Sequence, residues 1–202
     1  MFTGIIRDIG TVARVERADG LVRLTVSAPN TAARVTPLES VAVNGVCLTV
    51  VGVRRGTMAF EVIPQTQQAT AVGALRAGHR VNVEPSLSLS DRLGGQLLFG
   101  HVDGLGTVTR RRQQRGELVL EVRIGTALRR FLVPKGPVAV DGVSLTVGET
   151  LKGSTFTVHL IPETLRQTTL RSLAAGDRVN VEVDYFAKLV AQFLRSRSMA
   201  AR

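Results

Sequence analysis

Three side chains in the second half of the chain have the chemical character needed to transfer protons. Asp141 and Ser144 lie three residues apart in the segment VAVDGVSLTV (138–147), and His101 follows Gly100 at a predicted strand start. Imidazole, carboxylate and hydroxyl groups commonly act as general acids and bases. Each also has an ordinary structural interpretation: a structural histidine, an aspartate that favours a turn before glycine, and a solvent-facing serine on a strand.

The first half contains a related segment with different polar residues. VAVNGVCLTV (41–50) aligns with VAVDGVSLTV, so Cys47 stands where the second copy has Ser144. Because the copies share their apolar residues and differ in polar ones, one site is expected mainly to bind ligand and the other also to move protons. Drift between the copies is the alternative, and Cys47 is also explained as a small buried hydrophobe. The contrasting pairs are Ile5 and His101, Asn44 and Asp141, Cys47 and Ser144, and Glu61 and His159.

These paired segments belong to a repeat that runs through the whole chain. LRAGHRVNVE (75–84) returns as LAAGDRVNVE (173–182), and IPQT (63–66) returns as IPET (161–164). The offset is 97 residues for the first motif and 98 for these two, far longer than the roughly 20–50 residues of a solenoid repeat. The sequence therefore predicts two tandem copies of one domain, and two similar pockets suit a reaction between two similar molecules.

Alternating Val, Ile, Leu and Thr between Gly, Asn and Asp predicts six short β-strands in each half. The pairs Asn44-Gly45 and Asp141-Gly142 tolerate the positive φ of a tight turn. Short strands without long exposed edges favour closure into a barrel. The fold expected is all-β: two tandem six-stranded Greek-key β-barrels from an internal repeat, plus a C-terminal amphipathic helix. The expected domains are 1–96 (first barrel), 97–184 (second barrel) and 185–202 (C-terminal oligomerisation helix and tail).

The C-terminal helix is predicted from the spacing of apolar residues in DYFAKLVAQFLRSR (184–197), with Asp184 as its N-cap. This segment has no counterpart in the repeat. It either packs against its own domain or pairs with copies of itself in an oligomer, and we favour the second arrangement. The residues that form the apolar stripe are Phe186, Leu189, Val190, Phe193 and Leu194.

The bulk composition argues against several classes of function. A net charge of +10 would suit a nucleic-acid binder, but the arginines are scattered, and with no Trp and one Tyr the chain is poor in stacking platforms for bases. A single cysteine excludes an intramolecular disulfide, and no metal-spaced set of His and Cys occurs. No apolar run approaches the roughly 18 residues of a membrane span, and no signal peptide is visible. We expect a cytoplasmic protein without nucleic-acid or membrane partners.

Four motifs together resemble the riboflavin synthase family, alpha-chain type, with its duplicated lumazine-binding domains. They are the opening MFTGII (1–6), the doubled (N/D)GV(C/S)LTV motif, the GG…GHVD segment (94–103) and HLIPET (159–164). The resemblance covers essentially the whole chain. It implies two lumazine-binding barrels and a homotrimer held together by the C-terminal helices, and it leaves open whether a lumazine synthase associates.

The same resemblance implies a reaction. The family is a transferase that dismutates two molecules of 6,7-dimethyl-8-ribityllumazine into riboflavin and 5-amino-6-ribitylaminouracil. A four-carbon unit passes from the donor molecule to the acceptor, with no cofactor and no metal.

The resemblance also implies which residues of this chain form the sites. Lys135 is expected to reach the site of a neighbouring subunit. The first-barrel residues expected to bind substrate are Gly4, Ile5, Ile6, Cys47, Leu48, Thr49, Glu61, Val62, Ile63, Pro64, Gln65 and Thr66. The second-barrel residues are Gly100, His101, Val102, Ser144, Leu145, Thr146, Ile161, Pro162, Glu163, Thr164, Leu165 and Arg166. The residues expected to assist the chemistry are Phe2, Cys47, His101, Asp141 and Ser144.

Two positions depart from the family pattern. Gln96 stands where the family often has histidine, which removes residue 96 as a proton carrier, and Gln65 stands where the second copy keeps Glu163. The alternative from another functional class is a non-catalytic lumazine- or flavin-binding paralogue. The joint presence of Cys47, His101, Asp141 and Ser144 argues against it.

Overall fold

The computed structural model describes residues 1–18, 20–114, 116–149 and 153–200, with side chains as far as Arg197. Two six-stranded antiparallel sheets and a C-terminal helix confirm the predicted all-β repeat. Within these residues, no helix is both long and apolar enough to cross a membrane.

The first sheet closes into a barrel with the strand order β1-β2-β5-β4-β3-β6. Its strands are β1 Asp8–Ala18, β2 Leu21–Ser27, β3 Ser40–Val43, β4 Val46–Arg54, β5 Thr57–Val62 and β6 Arg80–Pro85. Short helices cover its ends: α1 Pro29–Ala32, α2 Pro64–Ala69 and a 3₁₀ turn at Ala71–Ala74. The first strand begins only at Asp8, because the residues before it leave this barrel.

The second sheet repeats this order as β10-β9-β12-β7-β8-β11. Its strands are β7 Gly104–Gln114, β8 Glu117–Arg123, β9 Pro137–Val140, β10 Val143–Thr146, β11 Thr155–Leu160 and β12 Arg178–Val183. The helical pieces are 3₁₀ turns at Thr126–Phe131 and Thr169–Ser172, α3 Pro162–Gln167, and the C-terminal α4 Tyr185–Ala200. A single bridge between Val147 and Val158 joins the two outer strands.

Each barrel has its own apolar core, built by alternation along the strands. In β2, Val22, Leu24 and Val26 point inward between exposed or half-buried neighbours, as expected of strands with one buried face. Phe60 lies in the first core and Phe156 in the second, and both are fully buried. A third, smaller apolar cluster lies between the barrels around Phe2 and Leu98.

Two asparagines join the barrels through reciprocal hydrogen bonds. The Asn82 amide donates to the Asp141 carbonyl (2.9 Å) and accepts from the Thr169 N–H (2.8 Å). Asn180, in the second barrel, makes the equivalent bonds to the first: its amide donates to the Asn44 carbonyl (2.8 Å) and accepts from the Ala71 N–H (2.7 Å). Both side chains are 1% exposed. The halves are therefore related by a pseudo-twofold axis, with the amide of each barrel satisfied by the other.

Two glycines let the barrels approach closely at this axis. A Cβ added to Gly45 would lie 2.6 Å from the Gly142 nitrogen, and a Cβ on Gly142 would meet Gly45 in the same way. Both glycines have positive φ, as do Asn44 and Asp141 before them. The predicted tight turns are thus confirmed, and the residues that make the turns also make the contact between the barrels.

Asp141 is part of this interface. Its Oδ1 accepts a hydrogen bond from the Asn180 N–H (2.8 Å), just as Asn44 Oδ1 accepts from the Asn82 N–H (2.7 Å). Burial raises the pKa of Asp141 to about 7, opposed by the Asn180 hydrogen bond and increased by the charge of Asp177. A carboxyl group here performs the structural task that an amide performs in the first barrel.

The apolar stripe of α4 does not pack on its own barrel. Phe186, Leu189, Val190, Phe193 and Leu194 are 48% to 62% exposed. The helix is held at its first turns, where Lys188 pairs with Asp103 (2.9 Å) and the Tyr185 ring lies 4.7 Å from that of Phe99.

Replacing Asp141 with Asn should stabilise the protein at neutral and alkaline pH. The folded-state pKa of about 7 exceeds the ordinary aspartate value of 3.8, so wild-type stability falls as pH rises between these values, by up to about 1.4 kcal/mol per pH unit. Urea denaturation from pH 4 to 8 should show that the free energy of unfolding of D141N exceeds that of wild type by an amount that increases up to about pH 7. Glu16→Gln, at a surface carboxylate paired with Arg14, should follow the wild-type profile. Parallel curves for D141N and wild type would show that Asp141 is ionised in the folded protein.

Candidate active site

The segment that precedes each barrel runs along the other barrel. The Gly4 carbonyl accepts a hydrogen bond from the Ser144 N–H (2.9 Å), and Ile6 packs against the second core. The Gly100 carbonyl accepts from the Cys47 N–H (2.9 Å), and Val102 packs against the first core. The predicted grouping was therefore wrong in one respect: Gly4–Ile6 belong beside the second barrel and Gly100–Val102 beside the first.

Glycine is required at both crossing points. A Cβ on Gly4 would lie 2.6 Å from the Ser144 Cβ, and one on Gly100 would lie 2.6 Å from the Cys47 Cβ. Their φ values are +75° and +70°, a region that side chains other than glycine rarely adopt. These glycines allow one backbone to lie directly on a strand of the other barrel.

Two buried glutamates hold the crossing segments in place. The Glu84 carboxylate accepts hydrogen bonds from the Thr3 N–H (2.7 Å), the Thr3 hydroxyl (2.7 Å) and the Gly4 N–H (3.0 Å). The Glu182 carboxylate accepts from the Phe99 N–H (2.8 Å) and the Gly100 N–H (3.1 Å). Sequence reasoning missed both glutamates. The signal was the motif RVNVE, which places the same Asn and Glu in an apolar strand of each half.

Burial raises the pKa of both carboxyl groups. At Glu84 the hydrogen bonds from Thr3 and Gly4 and the charge of Arg7 oppose that increase. At Glu182 the Phe99 and Gly100 N–H groups and Lys188 oppose it, while Asp103 adds to it. Each glutamate thus offsets part of its desolvation by binding the backbone of the segment that it positions.

The first-barrel site combines three stretches of chain. Cys47, Leu48 and Thr49 lie on β4, residues 61–66 run from the end of β5 into α2, and Gly100–Val102 lie alongside β4. Pro64 begins α2 at a position where a missing N–H costs nothing. Cys47 is half-buried, while Ile63 is 51% exposed and Glu61 pairs with Arg23 (3.4 Å).

The second-barrel site has the same plan. Ser144, Leu145 and Thr146 lie on β10, Pro162 begins α3, and Gly4–Ile6 lie alongside β10. Ile161 is 59% exposed, and Glu163 is held by Arg166 and Gln167 within α3. The Ser144 hydroxyl donates a hydrogen bond to Gln96 Oε1 (2.9 Å). Gln96 is thus a neighbour of this site.

The residues expected to assist chemistry do not form one group. His101 is exposed beside the first barrel, and its ring centroid lies 6.2 Å from that of Phe99. Ser144 belongs to the second-barrel site, whereas the Asp141 carboxylate is bonded to Asn180 in the interface. Phe2 is 1% exposed and packs in the small apolar cluster between the barrels.

Lys135 forms an ion pair within its own chain. It has a φ of +62° in the turn before β9, and its ammonium pairs with Glu149 (3.0 Å). Across the described ranges, no group of three or more His, Cys, Asp and Glu side chains is arranged to hold a metal ion.

Comparison with known proteins finds the same kind of domain in each half of the chain. The model of the lumazine binding domain matches twice, at residues 3–86 and 99–184. Two solved structures share the fold. LumP complexed with riboflavin superposes with a TM-score of 0.85 at 25% identity, covering 91% of this chain and 100% of that one. LumP complexed with 6,7-dimethyl-8-(1'-D-ribityl) lumazine gives 0.83 at 24% identity, covering 91% and 99%.

Relatives with greater sequence identity are enzymes. The riboflavin synthase of Mycobacterium tuberculosis (strain ATCC 25618 / H37Rv) is 41% identical over 199 residues, covering 97% of this chain and 99% of that protein. The riboflavin synthase of Bacillus subtilis (strain 168) is 36% identical over 194 residues, covering 96% and 90%. With two matched domains and full-length relatives of one kind, the chain belongs to the riboflavin synthase family.

Proposed function

We propose that this chain converts two molecules of 6,7-dimethyl-8-ribityllumazine into riboflavin and 5-amino-6-ribitylaminouracil. It is an enzyme that transfers a four-carbon unit, as its full-length riboflavin synthase relatives indicate. The observation that carries the proposal is the duplicated site. Each copy has the same strand, the same proline-led helix and a crossing segment from the other barrel.

Duplicated sites suit this reaction because donor and acceptor start as the same molecule. A subunit that binds one lumazine in each site needs no second type of pocket. Most of the rate enhancement is expected from holding two stacked heterocycles in reactive orientation, an effect worth about 7–11 kcal/mol in favourable cases. The crossing segments contribute to that orientation because glycine and buried carboxylates fix their backbone.

The two sites differ in the groups available for proton transfer. The first-barrel site has Cys47 and the segment that carries His101, whereas the second has Ser144 and the segment that carries Ile5. We therefore assign proton transfer from the acidic methyl group of a lumazine to His101, beside the first barrel. Ser144 and Thr146 serve as hydrogen-bonding groups for the second lumazine.

The active assembly is proposed to be a homotrimer. An apolar stripe of five residues on α4 is exposed in the single chain, and a helix face of this kind is stabilised when copies pack together. His101 lies near the start of this helix through Phe99 and Tyr185. A neighbouring subunit docked through α4 would come close to the site, where its copy of Lys135 could contribute.

Purified protein mixed with dimethylribityllumazine should form a yellow product that absorbs as riboflavin does, with one riboflavin for every two lumazines consumed. Absorbance and chromatography measure both quantities. Tight stoichiometric binding without turnover would instead identify a non-catalytic lumazine- or flavin-binding protein.

His101→Ala should lower turnover by roughly 10²- to 10⁴-fold, the range typical of losing a general acid or base, with lumazine affinity less affected. His79→Ala is the matched control, because His79 is also exposed but lies before β6, outside both sites. Steady-state rates from pH 6 to 8 and equilibrium binding measure the two effects. Near-normal turnover of H101A across this range would make His101 a structural residue.

Replacing Val190 and Phe193 together with Asp should give folded monomers with little activity, because the substitutions place charge on the apolar stripe of α4. Gln192→Glu, on the same helix but outside the stripe, should leave assembly unchanged. Light scattering and circular dichroism distinguish loss of assembly from unfolding. A double variant that remains trimeric would show that α4 is not the assembly element.

A further inference from the structure

The segment that connects the two repeats contributes a side chain to the second-barrel site. Gln96 lies between the two matched domains, and its N–H donates to the Thr3 carbonyl (2.9 Å). A Cβ added to the preceding Gly95 would lie 3.0 Å from the Ser144 Cβ and against the Thr3 carbonyl. The connecting segment lies so close to Ser144 that only glycine fits at position 95, and Gln96 is the next residue.

The Gln96 amide is only partly satisfied. Its Oε1 accepts the Ser144 hydroxyl hydrogen bond (2.9 Å), while its Nε2 is buried without a hydrogen-bond partner among the residues that the structure describes. Turning the amide over would leave the carbonyl unpaired instead. A buried polar atom without a partner destabilises the folded state and is uncommon in folded proteins. A ligand bound in the site would remove that destabilising effect once the side chain turned so that Nε2 reached an acceptor of the ligand.

Among the described residues, the first-barrel site has no buried side-chain amide of this kind beside Cys47. Gln96 lies outside both repeats, so it has no repeat counterpart beside Cys47. The thiol of Cys47 is itself a weak hydrogen-bonding group compared with the Ser144 hydroxyl. The second-barrel site therefore has two polar side chains, Ser144 and Gln96, whose orientation is fixed by their mutual hydrogen bond, whereas the corresponding place in the first-barrel site has Cys47.

We propose that Gln96 is a positioning residue of the second-barrel site. Its Nε2 donates a hydrogen bond to a carbonyl or ring-nitrogen acceptor of the lumazine bound there, with the amide held in direction by Ser144. This role presupposes the riboflavin synthase reaction proposed above. An amide neither gains nor loses a proton near neutral pH, so Gln96 acts by orienting one of two identical substrates.

The single cysteine allows the two sites to be measured separately. Cys47 is half-buried in the first-barrel site, so lumazine bound there should protect it from a maleimide reagent. Calorimetric titration with dimethylribityllumazine reports binding at both sites. Occupancy of the second-barrel site then follows from the total binding and the protection of Cys47.

Gln96→Leu should weaken lumazine binding at the second-barrel site about tenfold, which corresponds to about 1.4 kcal/mol, while the lumazine concentration that half-protects Cys47 stays unchanged. KM should rise more than kcat falls, and the ratio of mutant to wild-type kcat/KM should be constant from pH 6 to 8. Gln96→Glu keeps the acceptor for Ser144 but replaces the donor with an acceptor, so it should bind more weakly than Q96L at pH 8. Gln113→Leu, which removes an amide on the β7–β8 hairpin, is the matched control.

Several results would overturn this role. Wild-type affinity at both sites in Q96L, or equal weakening at both sites, would show that Gln96 does not bind substrate at the second barrel. Loss of thermal stability in Q96E together with unchanged binding would make the residue structural. A wild-type protein that neither binds nor converts lumazine would instead refute the proposed function itself.

Discussion

The reciprocal bonding of Asn82 and Asn180 is the constraint on which both sites depend. Each buried amide is satisfied by the backbone of the opposite barrel, so separating the barrels would leave both without their partners. The bonds also fix one relative orientation, because an amide needs its donor and acceptor matched at the same time. That orientation brings the segment preceding each barrel onto the strand where the other barrel carries Cys47 or Ser144.

Each site is consequently built from residues of both halves of the chain. The barrel supplies strand and helix residues, whereas the crossing backbone comes from the other half and is held by Glu84 or Glu182. Burying a carboxylate is costly unless hydrogen bonds compensate it, and here the compensating donors belong to the segment that must be positioned. The hydrogen bonds that compensate the burial of the two glutamates therefore also fix the position of the crossing segments.

The features that the sequence predicted well are local or repeated. Alternation gave the strands, and Asn44-Gly45 and Asp141-Gly142 gave the turns, because their positive φ values depend on a few adjacent residues. The pairing of Gly4 with Ser144 was not predictable in this way, since repeat alignment assigns each segment to its own copy. The family resemblance predicts that Asp141 assists the chemistry, and the sequence alone does not show that its carboxylate bonds to the Asn180 N–H. Asn180 and Glu182 could have been found from RVNVE, because identical polar residues in two buried strands indicate a shared structural need.

The pseudo-twofold axis has a consequence for how the two sites could become different. In a dimer of separate identical domains, every substitution appears twice, once on each side of the axis, so the sites change together. Joining the copies in one chain removes that restriction. Asn44 and Asp141, or Cys47 and Ser144, occupy equivalent places yet differ, and the connecting segment adds Gln96 beside one site only. Covalent linkage is thus what allows a symmetric architecture to distinguish two molecules that are chemically the same.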